Sequence, residues 1–179
     1  SNNLTSWHNG NCGGVMGGYA YNTLIAYNRS QSVGGAFLAD LYNCTIVGNV
    51  AVSENAPGIH MTGGTKVYNC LAFGNTGSPE KPWLADCDIG NLGAGGDVKG
   101  TLAGTTDLAY TGIALVAAGT QVFADFAHGD FSLWAGSPAF NAGDTTVPLQ
   151  STDLAGNARV LFGTIDAGAY EYGQLFVTT

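Results

Sequence analysis

The sequence feature that most constrains the fold is a short internal repeat. Three segments of seven residues begin and end with asparagine, and each directly follows a tyrosine; these segments are residues 22–28, 43–49 and 69–75. A fainter copy spans residues 3–9, and the period of the repeat is about 21 residues. Such a period predicts the coils of a β-solenoid, in which each coil stacks about 4.8 Å above the last.

The composition of each repeat favours strands over helices. Apolar runs of about four or five residues alternate with glycine and asparagine, a spacing that leaves no room for a helix of three turns. Only 10% of the residues are charged, whereas surface helices carry many charged side chains. The leucines of a leucine-rich repeat are absent, and a β-propeller needs a longer period. The sequence therefore predicts an all-β fold, a right-handed parallel β-helix (β-solenoid) over residues 1–126 with loop excursions at about 76–106.

The asparagines that bound each repeat suit turns, because Asn tolerates a left-handed φ and bonds its own backbone. Stacked on successive coils, their side chains are expected to form ladders of amide hydrogen bonds. The predicted ladder residues are Asn22, Asn43, Asn69, Asn28, Asn49 and Asn75.

Two of the four cysteines, Cys44 and Cys70, occupy the same position of adjacent coils. Stacking at about 4.8 Å brings them within disulfide reach. Side chains in parallel register usually stack as free thiols, so stacked thiols are the expectation and a disulfide is the alternative. The cysteines fit neither a zinc pattern nor a CxxC redox pair.

Alternation along the strands predicts which side chains face outward. If Cys44 and Cys70 point inward, an outward stripe forms that is too apolar for open water. Its members are Trp7, Ala26, Val47 and Phe73. We expect the chain's own segment from about residue 90 to 140 to cover this stripe. The alternative is a ligand or partner face, formed by Trp7, Val47, Phe73 and Trp83.

Four motifs occur in order near the C-terminus, at residues 130–133, 136–144, 153–159 and 163–171. This series resembles the end of the right-handed β-helix proteins with the pectin-lyase-like fold, of the choice-of-anchor domain type. The resemblance covers about 50 residues, and the Asn-Cys-Thr-Ile-Val-Gly-Asn segment is also typical of these proteins. It implies an extracellular or bacterial cell-surface location and no particular reaction.

Residues 127–179 are expected to be a C-terminal capping segment of the same domain. The last coil of a solenoid presents unpaired backbone groups and an open hydrophobic cross-section, so it requires closure. Opposite charges lie close together in this stretch, and Arg159 is positioned to hold one or two of the carboxylates. The predicted ion-pair network of the cap is Asp153, Arg159, Asp166 and Glu171.

Charge and composition exclude several partners. The formal net charge is -8 and the five Lys and Arg residues are scattered, which argues against nucleic acid and anionic membranes. No run of 18 apolar residues exists, so no membrane insertion is expected. Asp86 and Asp88 are the candidates for Ca²⁺ ligands, but two carboxylates are too few to specify a site. We therefore expect no cofactor and no metal, with Ca²⁺ as the alternative.

No set of catalytic residues emerges from the repeats. Glycoside hydrolysis needs paired carboxylates, and no position of the repeat offers them. The leading hypothesis is a non-catalytic extracellular module for scaffolding, adhesion or head-to-tail self-assembly into fibres. Because the chain starts near its first coil, either self-association or further coils of a longer parent protein are expected. The alternative is a carbohydrate-binding or lyase-like polysaccharide-degrading protein, with its glycan near Trp83, Tyr27 or Tyr19.

Overall fold

The computed structural model describes residues 12–52, 56–61, 63–77, 88–90, 96–106 and 111–173. Regular secondary structure in these residues consists of short strands and one 3-10 turn, Phe126–His128. No helix among them is long and apolar enough to cross a membrane.

The strands follow one another in a repeating order. The first coil contributes β1 (Val15–Met16), β2 (Tyr19–Tyr21), β3 (Leu24–Ala26) and β4 (Arg29–Ser30). The second contributes β5 (Ala36–Phe37), β6 (Asp40–Tyr42), β7 (Thr45–Val47) and β8 (Val50–Ala51). The third contributes β9 (Ile59–His60), β10 (Lys66–Tyr68), β11 (Leu71–Phe73) and β12 (Thr76–Gly77). After these come β13 (Ile89–Gly90), β14 (Asp97–Lys99), β15 (Thr101–Ala103), β16 (Ile113–Leu115), β17 (Phe123–Asp125) and β18 (Asp130–Leu133).

Equivalent strands of successive coils pair in parallel and form four sheets. Sheet 1 has the order β1-β5-β9-β13, and sheet 2 has the order β2-β6-β10-β14. Sheet 3 has the order β3-β7-β11-β15-β16, and sheet 4 has the order β4-β8-β12. Asn43 donates its backbone N–H to Tyr68, and Asn69 donates to Lys99, so the repeats lie in register. The predicted all-β parallel β-helix is confirmed.

Every second side chain along each strand points into the interior of the coils. Cys44, Ile46, Cys70 and Ala72 are all fully buried in this core, as the alternation predicts. Glycine is required where coils approach most closely. A Cβ on Gly35 would lie 2.4 Å from the carbonyl oxygen of Gly58, so no larger residue fits there without a backbone shift.

The outward face of sheet 3 is covered by the chain's own C-terminal half. Ala26, Val47 and Leu71 pack in a second core against residues of β17, β18 and the segment that follows. Val47 is fully buried and Phe73 is half-buried. The expectation of a cover from the same chain is confirmed. Val47 and Phe73 are consequently not a face for a ligand or partner, because β17 and β18 already occupy that position.

After β16, residues 116–173 contain the antiparallel pair β17–β18, the 3-10 turn and otherwise little regular structure. The segment after β18 lies along the solenoid and touches successive coils. Gly168 donates its backbone N–H to the carbonyl of Asn69, and Ala169 donates to Oγ1 of Thr45, which lies one coil earlier. The segment therefore closes the flank of the solenoid over several coils.

Candidate functional site

One asparagine column forms a continuous ladder inside the solenoid. Asn28 donates through its backbone N–H and through its side-chain amide to Oδ1 of Asn49, at 2.9 Å in both cases. Asn49 donates in the same two ways to Oδ1 of Asn75, at 3.0 and 2.8 Å. All three side chains are buried, so each bond satisfies a group that water does not reach. This ladder binds adjacent coils to each other.

The ladder ends on Asp88, one of the two residues considered for calcium. Its carboxylate accepts from the backbone and side-chain N–H groups of Asn75, at 2.8 and 2.6 Å, and from the N–H of Thr105 at 3.2 Å. Burial raises the pKa of Asp88, and these N–H donors oppose that rise. The carboxylate is thus engaged by the solenoid itself. Asp86 lies outside the described residues.

The other asparagine column does not form a ladder, because Asn22 and Asn69 bond the C-terminal segment instead of each other's coils. Asn22 donates to the carbonyl of Thr152 at 2.5 Å. Asn69 and Asp144 exchange two bonds, at 3.0 and 2.7 Å, in the manner of paired strands. Asn43 lies between them and is buried, and its amide has no hydrogen-bond partner among the described residues. The column fixes the closing segment to the coils.

The predicted network of the cap is assembled around a completely buried guanidinium. Arg159 Nη1 lies 2.8 Å from Oε1 of Glu171, and Nη2 donates to Oδ1 of Asn22 at 2.6 Å. The guanidinium also donates to the carbonyls of Gly168 and Ala169, at 3.0 and 3.1 Å. One cation therefore joins the first coil to the closing segment. Its single ion-pair partner in the described part of the chain is Glu171.

Asp153 and Asp166 take part in the network through backbone groups. Asp153 accepts from the N–H of Glu171 at 2.8 Å. Asp166 accepts from the N–H groups of Asn141 and Tyr172, at 2.7 and 2.5 Å. Burial raises the pKa of Asp166, and it raises the pKa of Glu171 to about 7. The main cause is that burial disfavours the charged form of each carboxyl; for Glu171 the Asp166 charge adds to the rise, and the nearby Arg159 guanidinium opposes it for both groups.

Cys44 and Cys70 are free thiols in adjacent coils, and Cys12 is free as well. Cys44 Sγ lies 3.3 Å from the carbonyl oxygen of Tyr42, and Cys70 Sγ lies 3.3 Å from that of Tyr68. Both thiols are buried in the core. Their surroundings are those of small core residues, without access to a reactant in solvent.

The outward face of sheet 2, here called the tyrosine face, combines aromatic and charged side chains. It consists of Tyr19, Tyr21, Asp40, Tyr42, Lys66, Tyr68, Asp97 and Lys99. Tyr21 stacks on Tyr42 with ring centroids 4.6 Å apart, and Tyr42 meets Tyr68 edge-on at 5.5 Å. Tyr19 and Tyr21 remain 70% and 41% exposed. Tyr42 and Tyr68 are buried in a cluster with Val147 of the closing segment, so only the end of the tyrosine face at Tyr19 and Tyr21 presents exposed rings.

Charged side chains flank the aromatic rings of the tyrosine face. The Lys99 ammonium lies 5.9 Å from the ring centre of Tyr68, whose hydroxyl donates to Asp97. Asp40 accepts from the backbone N–H of Lys66 at 2.8 Å. Burial and the Asp97 bond raise the pKa of Tyr68 to about 12. Such a surface can stack on a sugar ring and bond its hydroxyls.

Sequence reasoning placed Tyr19 near a candidate ligand but did not assemble this face. The sequence did contain a signal for this face. When the repeats are aligned, the residues one and three positions before each repeated asparagine fall into shared columns. Those positions bring Tyr21, Tyr42, Tyr68 and Lys99 into one column. Tyr27 lies elsewhere, with its ring 5.6 Å from that of Phe131.

The remaining candidates from the sequence are dispersed. Trp7 and Trp83 lie outside the described residues. His60 is buried, and burial lowers its pKa; His128 is exposed and lies 2.7 Å from Asp125. Within the described ranges, no group of three or more His, Cys, Asp or Glu side chains is placed to hold a metal ion.

The fold defines the class of protein: a parallel β-helix closed along one flank by its own C-terminal segment. In comparisons with known proteins, no family model, no curated protein and no solved structure matches the chain.

Proposed function

We propose that the protein is a non-catalytic β-solenoid module of the extracellular space or the bacterial cell surface, used for scaffolding, adhesion or self-assembly. One observation carries the proposal: the buried carboxylates of the protein are bonded to other groups of the fold. Asp88 ends the asparagine ladder, and Asp153, Asp166 and Glu171 fix the closing segment. Groups committed to backbone N–H donors and to a buried guanidinium are poorly placed to exchange protons with a substrate.

Head-to-tail assembly is supported by the edge that β16 presents. Among the described residues this strand is the last of sheet 3, and Leu115 on it is 64% exposed. An exposed strand edge offers backbone groups for pairing with another chain. A second copy that adds its own coil there would continue the parallel sheet and cover Leu115.

Sedimentation analysis and negative-stain microscopy test this assembly. We expect species larger than a monomer that grow with concentration, and we expect Leu115→Lys to abolish them by placing a charge on the edge strand. Leu154→Lys is the matched control, since Leu154 is 43% exposed and lies in the flank segment. A wild-type chain that stays monomeric at high concentration rules assembly out.

Carbohydrate binding is the second candidate function, and the tyrosine face favours it. Exposed Tyr19 and Tyr21 offer ring faces for stacking, while Lys66 and Lys99 suit acidic sugars. A panel of acidic and neutral glycans, with and without Ca²⁺, gives the test. We expect Tyr21→Ala to weaken binding, whereas Met16→Ala, an exposed non-aromatic neighbour, leaves it unchanged. Unsaturated products would indicate a lyase. Absence of binding or reaction with every glycan of the panel would rule out this candidate function.

A further inference from the structure

The core of the coils is in contact with solvent at the C-terminal end of sheet 3. Leu115 of β16 pairs with Ala103 of β15, whose side chain continues the inward column of Ala72, Ile46 and Ile25. Those four side chains are buried in the core, whereas Leu115 is 64% exposed. Leu115 thus holds an inward position of the solenoid without the burial that such positions have in the earlier coils.

The backbone of β16 also has an unpaired side in the described part of the chain. Val116 donates its backbone N–H to the carbonyl of Ala103 at 2.8 Å, so its N–H points toward β15. In a parallel pair, successive residues of a strand turn their N–H and C=O groups alternately toward and away from the partner strand. The N–H and C=O groups of Ile113 and Leu115 consequently point away from β15, toward the position of a further coil.

The space beside β16 fits another apolar strand. A groove of about 420 Å³ lies against β16, and its lining includes Leu102 and Val116 together with Pro138 and Ala142 of the closing segment. A strand paired with β16 would direct one set of side chains to Leu115 and the alternate set to the outward side. Among the described residues sheet 2 ends nearby at β14, so a complete coil extends two sheets where a single peptide strand extends one.

The charges of the chain are divided unevenly along the solenoid. Residues 1–39, which include the first coil, contain one cation, Arg29, and no Asp or Glu, so all 13 acidic residues lie after this range. At the C-terminal end of the coils, a second groove of about 600 Å³ is lined by Asp97, Lys99 and Asp144. Two such ends brought together would place an excess of negative charge at their contact, whereas the N-terminal coil of another copy adds none.

We infer that this end of the solenoid binds the N-terminal end of a second copy, so that each molecule has two different and complementary ends. A strand of the incoming copy pairs with β16 in parallel, as β15 does on the other side, and an inward apolar side chain covers Leu115. Such an interface is heterologous and continues into an open filament unless its rotation closes a ring. The inference rests on the proposed self-assembly and specifies which two surfaces meet.

A mixing experiment tests whether the two ends differ. Leu115→Lys blocks the C-terminal end of a molecule and leaves its N-terminal end unchanged. Each assembly then holds at most one variant molecule, at its end, so an equimolar mixture with wild type should shorten the assemblies to a few molecules. Sedimentation velocity measures their size, and a heavy-nitrogen label on the variant shows its incorporation by mass spectrometry. Leu154→Lys, with its charge in the closing segment, is the control and should co-assemble without shortening.

A second variant separates strand pairing from the effect of an added charge. Leu115→Pro removes the backbone N–H on the open side of β16 and introduces no charge. We expect the same shortening in an equimolar mixture with wild type. Thermal unfolding of each variant alone, with a Tm near that of wild type, verifies that the variants fold.

The outcomes distinguish this inference from the proposed self-assembly. Wild-type assemblies that keep their size and exclude both variants would overturn the inference, because they indicate a symmetric contact, and self-assembly would still stand. Assembly of Leu115→Lys by itself would place the interface away from β16 and overturn the inference as well. A wild-type chain that stays monomeric removes the inference together with the proposed assembly.

Discussion

The coils and the closing segment of this protein are stabilised in opposite ways. In the coils, one arrangement recurs: parallel strands in register, alternate side chains inside, and an asparagine ladder that joins Asn28, Asn49 and Asn75. In residues 116–173 little recurs, and one guanidinium, that of Arg159, makes four hydrogen bonds within this segment and to the first coil. Repetition spreads the stabilisation over many equivalent bonds, whereas a unique segment depends on a few residues.

The largest expected effect is on the closing segment, the part of the molecule that does not repeat. Arg159→Met should lower the free energy of unfolding by about 3 to 5 kcal/mol, because it leaves buried Glu171 without its cation. The closing segment should become sensitive to protease while the coils resist. Urea unfolding and limited proteolysis measure both effects, with Lys66→Met, an exposed cation, as the control. Simultaneous loss of coils and segment would show that the two regions are one cooperative unit.

A smaller loss of stability is expected when one asparagine of the ladder in the coils is replaced. Asn49→Ala should cost about 2 to 4 kcal/mol, because it strands buried partners in Asn28, Asn75 and Ile25. Asn43→Gly in the same coil retains the left-handed backbone and removes an amide that has no partner in the described part of the chain. Its unfolding free energy should stay near that of wild type. Equal losses of unfolding free energy in the two variants would contradict a specific contribution of the ladder to stability.

The dependence of stability on pH gives a further test of the difference between the coils and the closing segment. The pKa of Glu171 is about 7 in the fold, against 4.5 when unperturbed. Between these values the folded state retains a proton that the unfolded chain has released, so stability falls as pH rises through this window. Glu171→Gln removes this contribution, worth about 1 to 3 kcal/mol.

Denaturation of wild type and Glu171→Gln between pH 5 and 7.5 measures that contribution. The variant should gain stability relative to wild type as the pH rises. The lowered pKa of His60 has the opposite effect on stability, but it acts in both proteins and cancels in the difference. A difference that stays flat would mean that Glu171 is ionised throughout, paired with Arg159.

The smallest effect is expected from the thiols. Cys12, Cys44 and Cys70 are free, so the coils are joined here by packing and hydrogen bonds alone. A reductant should leave the Tm unchanged, and all three cysteines should react with iodoacetamide in denaturant without reduction. Recovery of a cross-linked peptide containing Cys44 and Cys70 would contradict this expectation.

The coils could be predicted almost completely from the sequence. The period of the repeat gave the parallel stacking, and alternation gave the inward positions of Ile46 and Ala72. The apolar stripe through Ala26 and Val47 also predicted a cover by the chain itself. These features are local and recurrent, so each copy supports the interpretation of the others.

The candidate sites were predicted less well. The two asparagine columns look alike in the sequence, yet one forms a ladder and the other holds the closing segment through Asn22 and Asn69. The ion-pair network was expected to close the last coil, and its contacts lie along the flank. Asp88, a candidate calcium ligand in the sequence, ends the asparagine ladder in the fold.

By itself, the sequence determined that this chain forms stacked coils, because strand length, alternation and turn chemistry act between near neighbours and repeat. Only the tertiary structure decided which tyrosines of sheet 2 stay exposed and that the contacts of Arg159 reach the first coil. The physical reason is separation along the chain. Arg159 bonds Asn22 across 137 residues, and no periodic pattern carries information over such a distance.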